Sequence, residues 1–123
     1  MNIKIEISKV VLWATIEDYV GLWELLWEVN TQFSDIPEEQ RKQALLEVLQ
    51  QLLNKDLINL YSCKEPYGEV SILDKSIAYA ALTEEKNWQA PDLTDISIRA
   101  GATEKGEAFY QTDGIDRKWP KLL

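Results

Sequence analysis

Four acidic residues in the first quarter of the chain are spaced so that they could bind one positively charged partner together. Glu24 and Glu28 are four residues apart, and Glu17 and Asp18 shortly precede them. Residues four apart share one face of a helix, so these carboxylates would present negative charge to a positively charged surface. This pattern favours the binding of a basic protein. An ordinary solvated helix face would carry the same residues, and that interpretation stays open.

Composition removes most catalytic chemistries. The 123 residues include no histidine, which excludes triads with an imidazole base, and the lone Cys63 leaves no cluster with zinc spacing. The five glycines stand singly, so no phosphate-binding loop is present. We therefore expect no catalytic residues, no metal and no cofactor. An enzyme that acts through carboxylates alone is the least favoured alternative, because no acidic pair stands out.

Charge and hydropathy restrict the surroundings and the partner. Thirteen basic and twenty-one acidic residues give a net charge of −8. Nucleic-acid binding depends on Lys and Arg that neutralise phosphates, so the charge disfavours it and favours a basic toxin or nuclease domain. No apolar run approaches the roughly 20 residues that span a bilayer, and a single cysteine is typical of a reducing compartment. We expect a cytoplasmic protein without membrane contact, and a homodimer is compatible with the sequence.

The first third of the chain is predicted to contain a strand and a helix. Isoleucines at positions 3, 5 and 7 alternate with polar residues, which predicts an added N-terminal strand. A capping pattern begins at Thr15, and residues 19–33 then have the period of an amphipathic helix. Trp23 and Trp27 are assigned to its buried side and the glutamates to its exposed side.

The next segment predicts a long helix followed by a strand. Pro37 lies at the helix start, and the end is expected near 54–56, where Asn or Asp can adopt the left-handed conformation. Residues 57–63 read as a short strand. The predicted buried stripe of the helix consists of Ala44, Leu45, Val48, Leu49, Leu52 and Leu53.

The second half predicts a turn at 66–68, a helix capped by Asp74, and a strand over 96–102. Thr103 is expected to cap a final helix over 104–111. Gly106 in that helix is interpreted as a position of close packing. Trp88 lies in the loop before the strand, where it either contacts a partner or covers the edge of the core.

Two of these segments carry a resemblance. The run Leu45–Tyr61 is similar to the Leu-rich helix and strand of winged-helix proteins, and Ala102–Tyr110 resembles the segment that follows the wing in MarR-like and PadR-like regulators. The resemblance implies one α+β, winged-helix-like domain over residues 1–123, with the N-terminal strand added and a helix inserted before the wing. A looser resemblance is to uncharacterised bacterial immunity proteins, which bind basic toxins.

These considerations lead to a hypothesis and an alternative. The hypothesis is a non-catalytic immunity-type or antitoxin-type inhibitor, whose carboxylates attract a basic partner while a loop tryptophan supplies buried contact area. Its partner-binding residues are Glu17, Asp18, Glu24, Glu28 and Trp88. The alternative is a winged-helix transcriptional regulator that reads DNA with its long helix and wing. Its DNA-binding residues would be Arg41, Lys42, Gln50, Gln51, Arg99 and Lys105.

Overall fold

The structure is a computed structural model that describes residues 2–65, 68–93 and 95–112. Within these residues five α-helices accompany a four-stranded antiparallel sheet, which confirms the predicted α+β class. In chain order the elements are α1 (Ile3–Glu17), β1 (Val20–Gly21), α2 (Leu22–Gln32), α3 (Glu38–Asn54), β2 (Ile58–Lys64), β3 (Val70–Ile72), α4 (Lys75–Thr83), a short 3-10 helix (Glu85–Trp88), β4 (Ile96–Ala102) and α5 (Glu104–Gln111).

Helix α1 occupies the position of the predicted N-terminal strand, so that prediction is wrong. Asn2 caps the helix by accepting a hydrogen bond from the Lys4 amide at 3.0 Å. Positions 3 and 7 fit both a two-residue and a 3.6-residue period, and a short window cannot distinguish the two. Over the whole helix the period is 3.6, since Ile7, Val11 and Leu12 are fully buried.

Helix α2 begins later than the capping pattern at Thr15 predicts. Thr15 lies inside α1, where its hydroxyl donates to the Val11 carbonyl at 2.9 Å. The cap of α2 is Gly21, whose N–H donates to the Glu24 carboxylate at 3.1 Å, as in a capping box. The buried row of α2 consists of Leu22, Leu25, Val29 and Phe33.

Helix α3 lies at the centre of the core. It packs against α1, α2, α4 and β2. Every residue of its predicted stripe is buried, which confirms the periodicity of the long helix. The helix ends at Asn54, and Asp56 has a φ of 60°, the left-handed conformation expected at this point of the chain.

The sheet has the order β1-β4-β2-β3, so β4 and β2 are its central strands. They pair antiparallel over seven residues each, from Ile58 opposite Ala102 to Lys64 opposite Ile96. The two short strands β1 and β3 form the edges. Helix α4 lies between β3 and β4 in the chain, as the predicted insertion does. The turn predicted at 66–68 includes positions 66 and 67, which lie outside the described residues.

The junction of β4 and α5 closes onto the end of α3. The Thr103 hydroxyl accepts the Gly106 N–H at 2.9 Å and donates to the Asp56 carbonyl at 2.6 Å. The Thr103 N–H donates to the Leu57 carbonyl at 3.0 Å. A Cβ on Gly106 would overlap that carbonyl oxygen, so only glycine allows this approach. The cap and the close-packing glycine are therefore both confirmed.

Candidate functional site

A groove of about 880 Å³ runs along one side of the molecule between α1 and α2, with α5 contributing Tyr110. Residues four apart on each helix reach the groove, because such residues share one helix face. The side chains that line it include the tryptophans Trp13, Trp23 and Trp27 and the glutamates Glu17, Glu24 and Glu28.

Two of these tryptophans are exposed. Trp27 keeps 64% of its surface accessible and Trp13 keeps 54%. Trp27 therefore does not lie on the buried side of α2, and its assignment to the core is wrong. The Trp13 ring contacts the Tyr110 ring, with a centroid distance of 6.1 Å. Large aromatic surface that meets water in a groove is typical of an interaction site.

The structure brings together three of the four predicted partner-binding carboxylates. Glu17 and Glu28 line the groove, and Glu28 also accepts a hydrogen bond from the Gln32 amide at 3.0 Å. Glu24 lines it too, but its carboxylate holds the Gly21 N–H and the Arg99 guanidinium, at 3.1 and 3.4 Å. Asp18 is exposed at the end of α1, where it accepts the Tyr19 N–H at 2.7 Å. Glu17 and Glu28 are thus the carboxylates best placed to meet a partner.

Arg99 contacts two of the residues that line the groove, Trp23 and Glu24. Its guanidinium donates to Glu65 at 2.8 Å and to Glu24 at 3.4 Å. It also lies over the Trp23 ring, 5.1 Å from the centroid, which is a cation–π contact. The side chains of Arg99 and Glu65 are only 21% and 15% exposed. Arg99, one of the alternative DNA-binding residues, is therefore engaged by the protein's own side chains.

Electrostatics reinforces this arrangement. Hydrogen bonds from Arg99 and from the Ser97 hydroxyl hold the pKa of the Glu65 carboxyl below its usual range. Burial works to lower the pKa of Arg99, but the hydrogen bond and the charge of Glu65 outweigh it, and the pKa is raised. Both groups are therefore charged at neutral pH, and their pairing is part of the fold.

The alternative DNA-binding residues differ in exposure and in hydrogen bonding. Arg41 donates to the Asn30 side chain at 2.9 Å and to the Ile36 carbonyl, so it joins α3 to α2 and to the loop between them. Gln50 and Gln51 are half-buried, since α3 has neighbours on several sides. The exposed members of the set are Lys42 on α3 and Lys105 on α5. This placement is unlike a recognition helix whose free face enters the major groove.

Trp88 covers the edge of the core. It is only 8% exposed, and its indole N–H donates to the Leu82 carbonyl at 2.9 Å. Of the two interpretations that the sequence allows for Trp88, the structure therefore favours cover of the core edge over contact with a partner. The 3-10 helix Glu85–Trp88 turns the ring inward, toward the buried end of α4.

Across residues 2–65, 68–93 and 95–112, no group of three His, Cys, Asp or Glu side chains could hold a metal ion. Over the same residues, no helix combines the length and the apolar character needed to cross a membrane. Cys63 is a free, half-buried cysteine on β2.

Sequence reasoning missed the aromatic half of the groove. The sequence gives Trp13 no role, because the alternation at 3, 5 and 7 predicts a strand where the structure has α1. Because α1 is a helix, Trp13 and Glu17 lie four residues apart on one face of it. Trp23 and Trp27 share a face of α2 in the same way. Residues 10–14 are a continuous apolar run, so the hydrophobic pattern of α1 gives no clear signal for this pairing.

Comparison with known proteins provides no relative from which a function would follow. No protein-family model matches the chain, and no curated protein or solved structure is significantly similar to it. The groove and its chemistry are therefore the basis on which a function is inferred.

Proposed function

We propose that the protein is a non-catalytic inhibitor of the immunity or antitoxin type, which binds a basic protein partner through the groove between α1 and α2. The observation that carries this proposal is the position of two exposed indoles beside two available carboxylates. Trp13 and Trp27 are 54% and 64% exposed, and Glu17 and Glu28 line the same groove.

The two kinds of side chain have complementary tasks in binding. The chain has a net charge of −8, and such a charge raises the association rate of a positively charged protein. The indoles supply a large, well-packed contact area, and such contacts make tryptophan a frequent source of binding energy in protein interfaces. The partner would be inhibited by occlusion, because the basic surface that it needs for its own substrate is covered.

The winged-helix arrangement belongs to the same proposal. Its support is that β2, which ends the first resembling segment, pairs with β4, which leads into the second. In addition, Thr103 and Gly106 contact Asp56 and Leu57. We also place the protein in the cytoplasm, where the free thiol of Cys63 would stay reduced.

The test is a pull-down in which the bait differs only in the groove. The tagged wild type, the double variant Trp27→Ala/Glu28→Lys and the double variant Ile77→Ala/Glu69→Lys are incubated with nuclease-treated lysate from the natural source. The last variant makes matched changes at exposed positions outside the groove, since Ile77 is 54% exposed and Glu69 is exposed. Bound proteins are identified by mass spectrometry.

The proposal expects one basic protein in stoichiometric amount with the wild type and with the Ile77/Glu69 variant, and its loss with the groove variant. Equal recovery with all three baits would show that the groove is not the binding surface. If only DNA is retained when nuclease is omitted, and this retention falls steeply with salt, the regulator becomes the better interpretation.

A further inference from the structure

We propose that the groove recognises arginine, in preference to lysine, on a helical segment of the basic partner. This inference rests on the proposed function and specifies the chemistry of the partner. It follows from a repeat within α2, in which the pair Trp23-Glu24 is followed four residues later by the pair Trp27-Glu28.

The first pair shows what this combination of side chains holds. The Arg99 guanidinium lies 5.1 Å from the centroid of the Trp23 ring and 3.4 Å from the Glu24 carboxylate. The planar guanidinium offers its face to the indole and its N–H groups to carboxylates. The protein thus contains, in its own fold, an arginine that contacts an indole and the neighbouring glutamate, while its shorter ion pair is to Glu65 at 2.8 Å.

The second pair repeats this combination of side chains one helical turn away. Residues four apart on a helix lie on the same face with their Cβ atoms roughly 5–6 Å apart. Trp27 and Glu28 therefore face the groove as their counterparts do, and both line it. The difference is exposure, because Trp27 is 64% accessible. An arginine from another molecule would occupy the position over Trp27 that corresponds to that of Arg99 over Trp23.

Helix α1, which forms the wall of the groove opposite α2, favours a helical segment as the ligand. Helix α1 contributes Trp13 and, one turn later, Glu17, so both walls of the groove have a helical repeat. A partner helix with arginines at positions i and i+4 has the same spacing as these acidic and aromatic side chains. One arginine of this helix would stack on Trp27 and pair with Glu28, and the other would meet Trp13 and Glu17.

Arginine is favoured over lysine for a physical reason. Lysine carries a compact and strongly hydrated charge, which matches a carboxylate but gains less from stacking on an indole. The glutamates alone would bind either side chain. The preference therefore depends on the tryptophan, and removal of the ring should remove the preference while part of the charge attraction remains.

The experiment uses the full-length protein and three fluorescent helix-forming peptides of about 15 residues, which differ only at two positions four apart. These positions carry arginine, lysine or the uncharged citrulline. Affinities are measured by anisotropy at an ionic strength of about 0.15 M. We expect the arginine peptide to bind about five- to tenfold more tightly than the lysine peptide, and the citrulline peptide to bind most weakly.

Variants of the groove separate the two contributions. Trp27→Ala should bring the arginine and lysine peptides to the same affinity, and Glu28→Gln should weaken both of them. Glu69→Gln, outside the groove, should leave all three affinities unchanged. Circular dichroism of each variant verifies that it is folded.

The outcomes distinguish this inference from the proposed function. Equal binding of the arginine and lysine peptides to the wild type, with weakening by Glu28→Gln, would overturn the arginine preference and leave a basic partner supported. An arginine preference that survives Trp27→Ala would overturn the assigned role of this ring. Failure of every charged peptide to bind would overturn both proposals.

Discussion

The β4–α5 junction and the α1–α2 groove use their side chains in opposite ways. At the junction, Thr103 and Gly106 are engaged by the backbone of Asp56 and Leu57, and each group has an internal partner. In the groove, Trp27 is mostly exposed. The contrast indicates that side chains at the junction stabilise the fold, whereas side chains in the groove are available for binding. Substitutions at the junction should change the free energy of unfolding, and substitutions in the groove should change affinity.

The largest loss of stability is expected for Gly106→Ala. Alanine normally stabilises a helix interior by about 1 kcal/mol relative to glycine, but here its Cβ would overlap the Leu57 carbonyl oxygen. We expect the variant to be less stable by about 2–3 kcal/mol, in the range of overpacked sites, as measured by urea denaturation. The control Ala108→Gly, at an exposed position of the same helix, should cost only about 0.5–1 kcal/mol. A stabilised Gly106→Ala variant would contradict the packing described at the junction.

Glu65→Gln should have the next largest effect, because it removes the main charge partner of Arg99. A loss of about 1.5 kcal/mol is expected at pH 7, the lower end of the range for hydrogen bonds to charged groups. The pKa of Glu65 is lowered in the folded protein, so its contribution is complete above the unfolded value of about 4.3 and is lost as the pH falls through the lowered folded value. Urea denaturation of both proteins from pH 7 to acid should therefore show their stabilities converging. A difference that is independent of pH would show that ionisation of Glu65 does not contribute.

Thr103→Ala removes the hydroxyl that joins the cap of α5 to the Asp56 carbonyl. Loss of a helix cap costs about 1 kcal/mol, and we expect the same order here. Thr31→Ala is the matched control, since its exposed hydroxyl donates to the Trp27 carbonyl within one helix. The free energies of unfolding of the two variants should differ clearly, and equal values would remove the special role of the junction.

Trp27→Ala should leave stability within about 0.5 kcal/mol of the wild type, as is usual for surface substitutions. Its effect should appear instead in the affinity for the basic partner. Glu24→Gln offers a useful contrast, because the Glu24 carboxylate accepts hydrogen bonds from the Gly21 N–H and from Arg99. This substitution should therefore lower the free energy of unfolding as well as the affinity for the partner. If Trp27→Ala is strongly destabilising, the ring belongs to the core and the distinction between the two regions fails.

The junction is also the region that sequence reasoning predicts best. Long periodic stripes, a capping threonine and an isolated glycine all act locally, so the strand Ile96–Ala102 and the helix Glu104–Gln111 are predicted with their observed bounds. The left-handed residue after α3 is predicted for the same reason, and Asp56 adopts that conformation. In each case a few neighbouring residues determine the structure.

The groove is predicted poorly because its properties are not local. Apolar residues occur on most sides of α2, so periodicity alone does not determine whether the leucines or the tryptophans are buried. The pairing of Arg99 with Glu24 and Glu65 joins residues 75 and 34 positions apart. The carboxylates were predicted as a set, but which of them is available and which is engaged depends on these distant contacts.

The short edge strands have a consequence for behaviour at high concentration. Unpaired edges invite another chain to add a strand, which is one route to aggregation. In the described part of the chain β1 has two residues and β3 three, against about five or six in a typical strand. Val70 and Ile72 on β3 are 40% and 62% exposed, yet so short an edge offers an incoming strand few hydrogen bonds. The protein can therefore display apolar side chains at its sheet edge without providing a template for open-ended β-polymerisation.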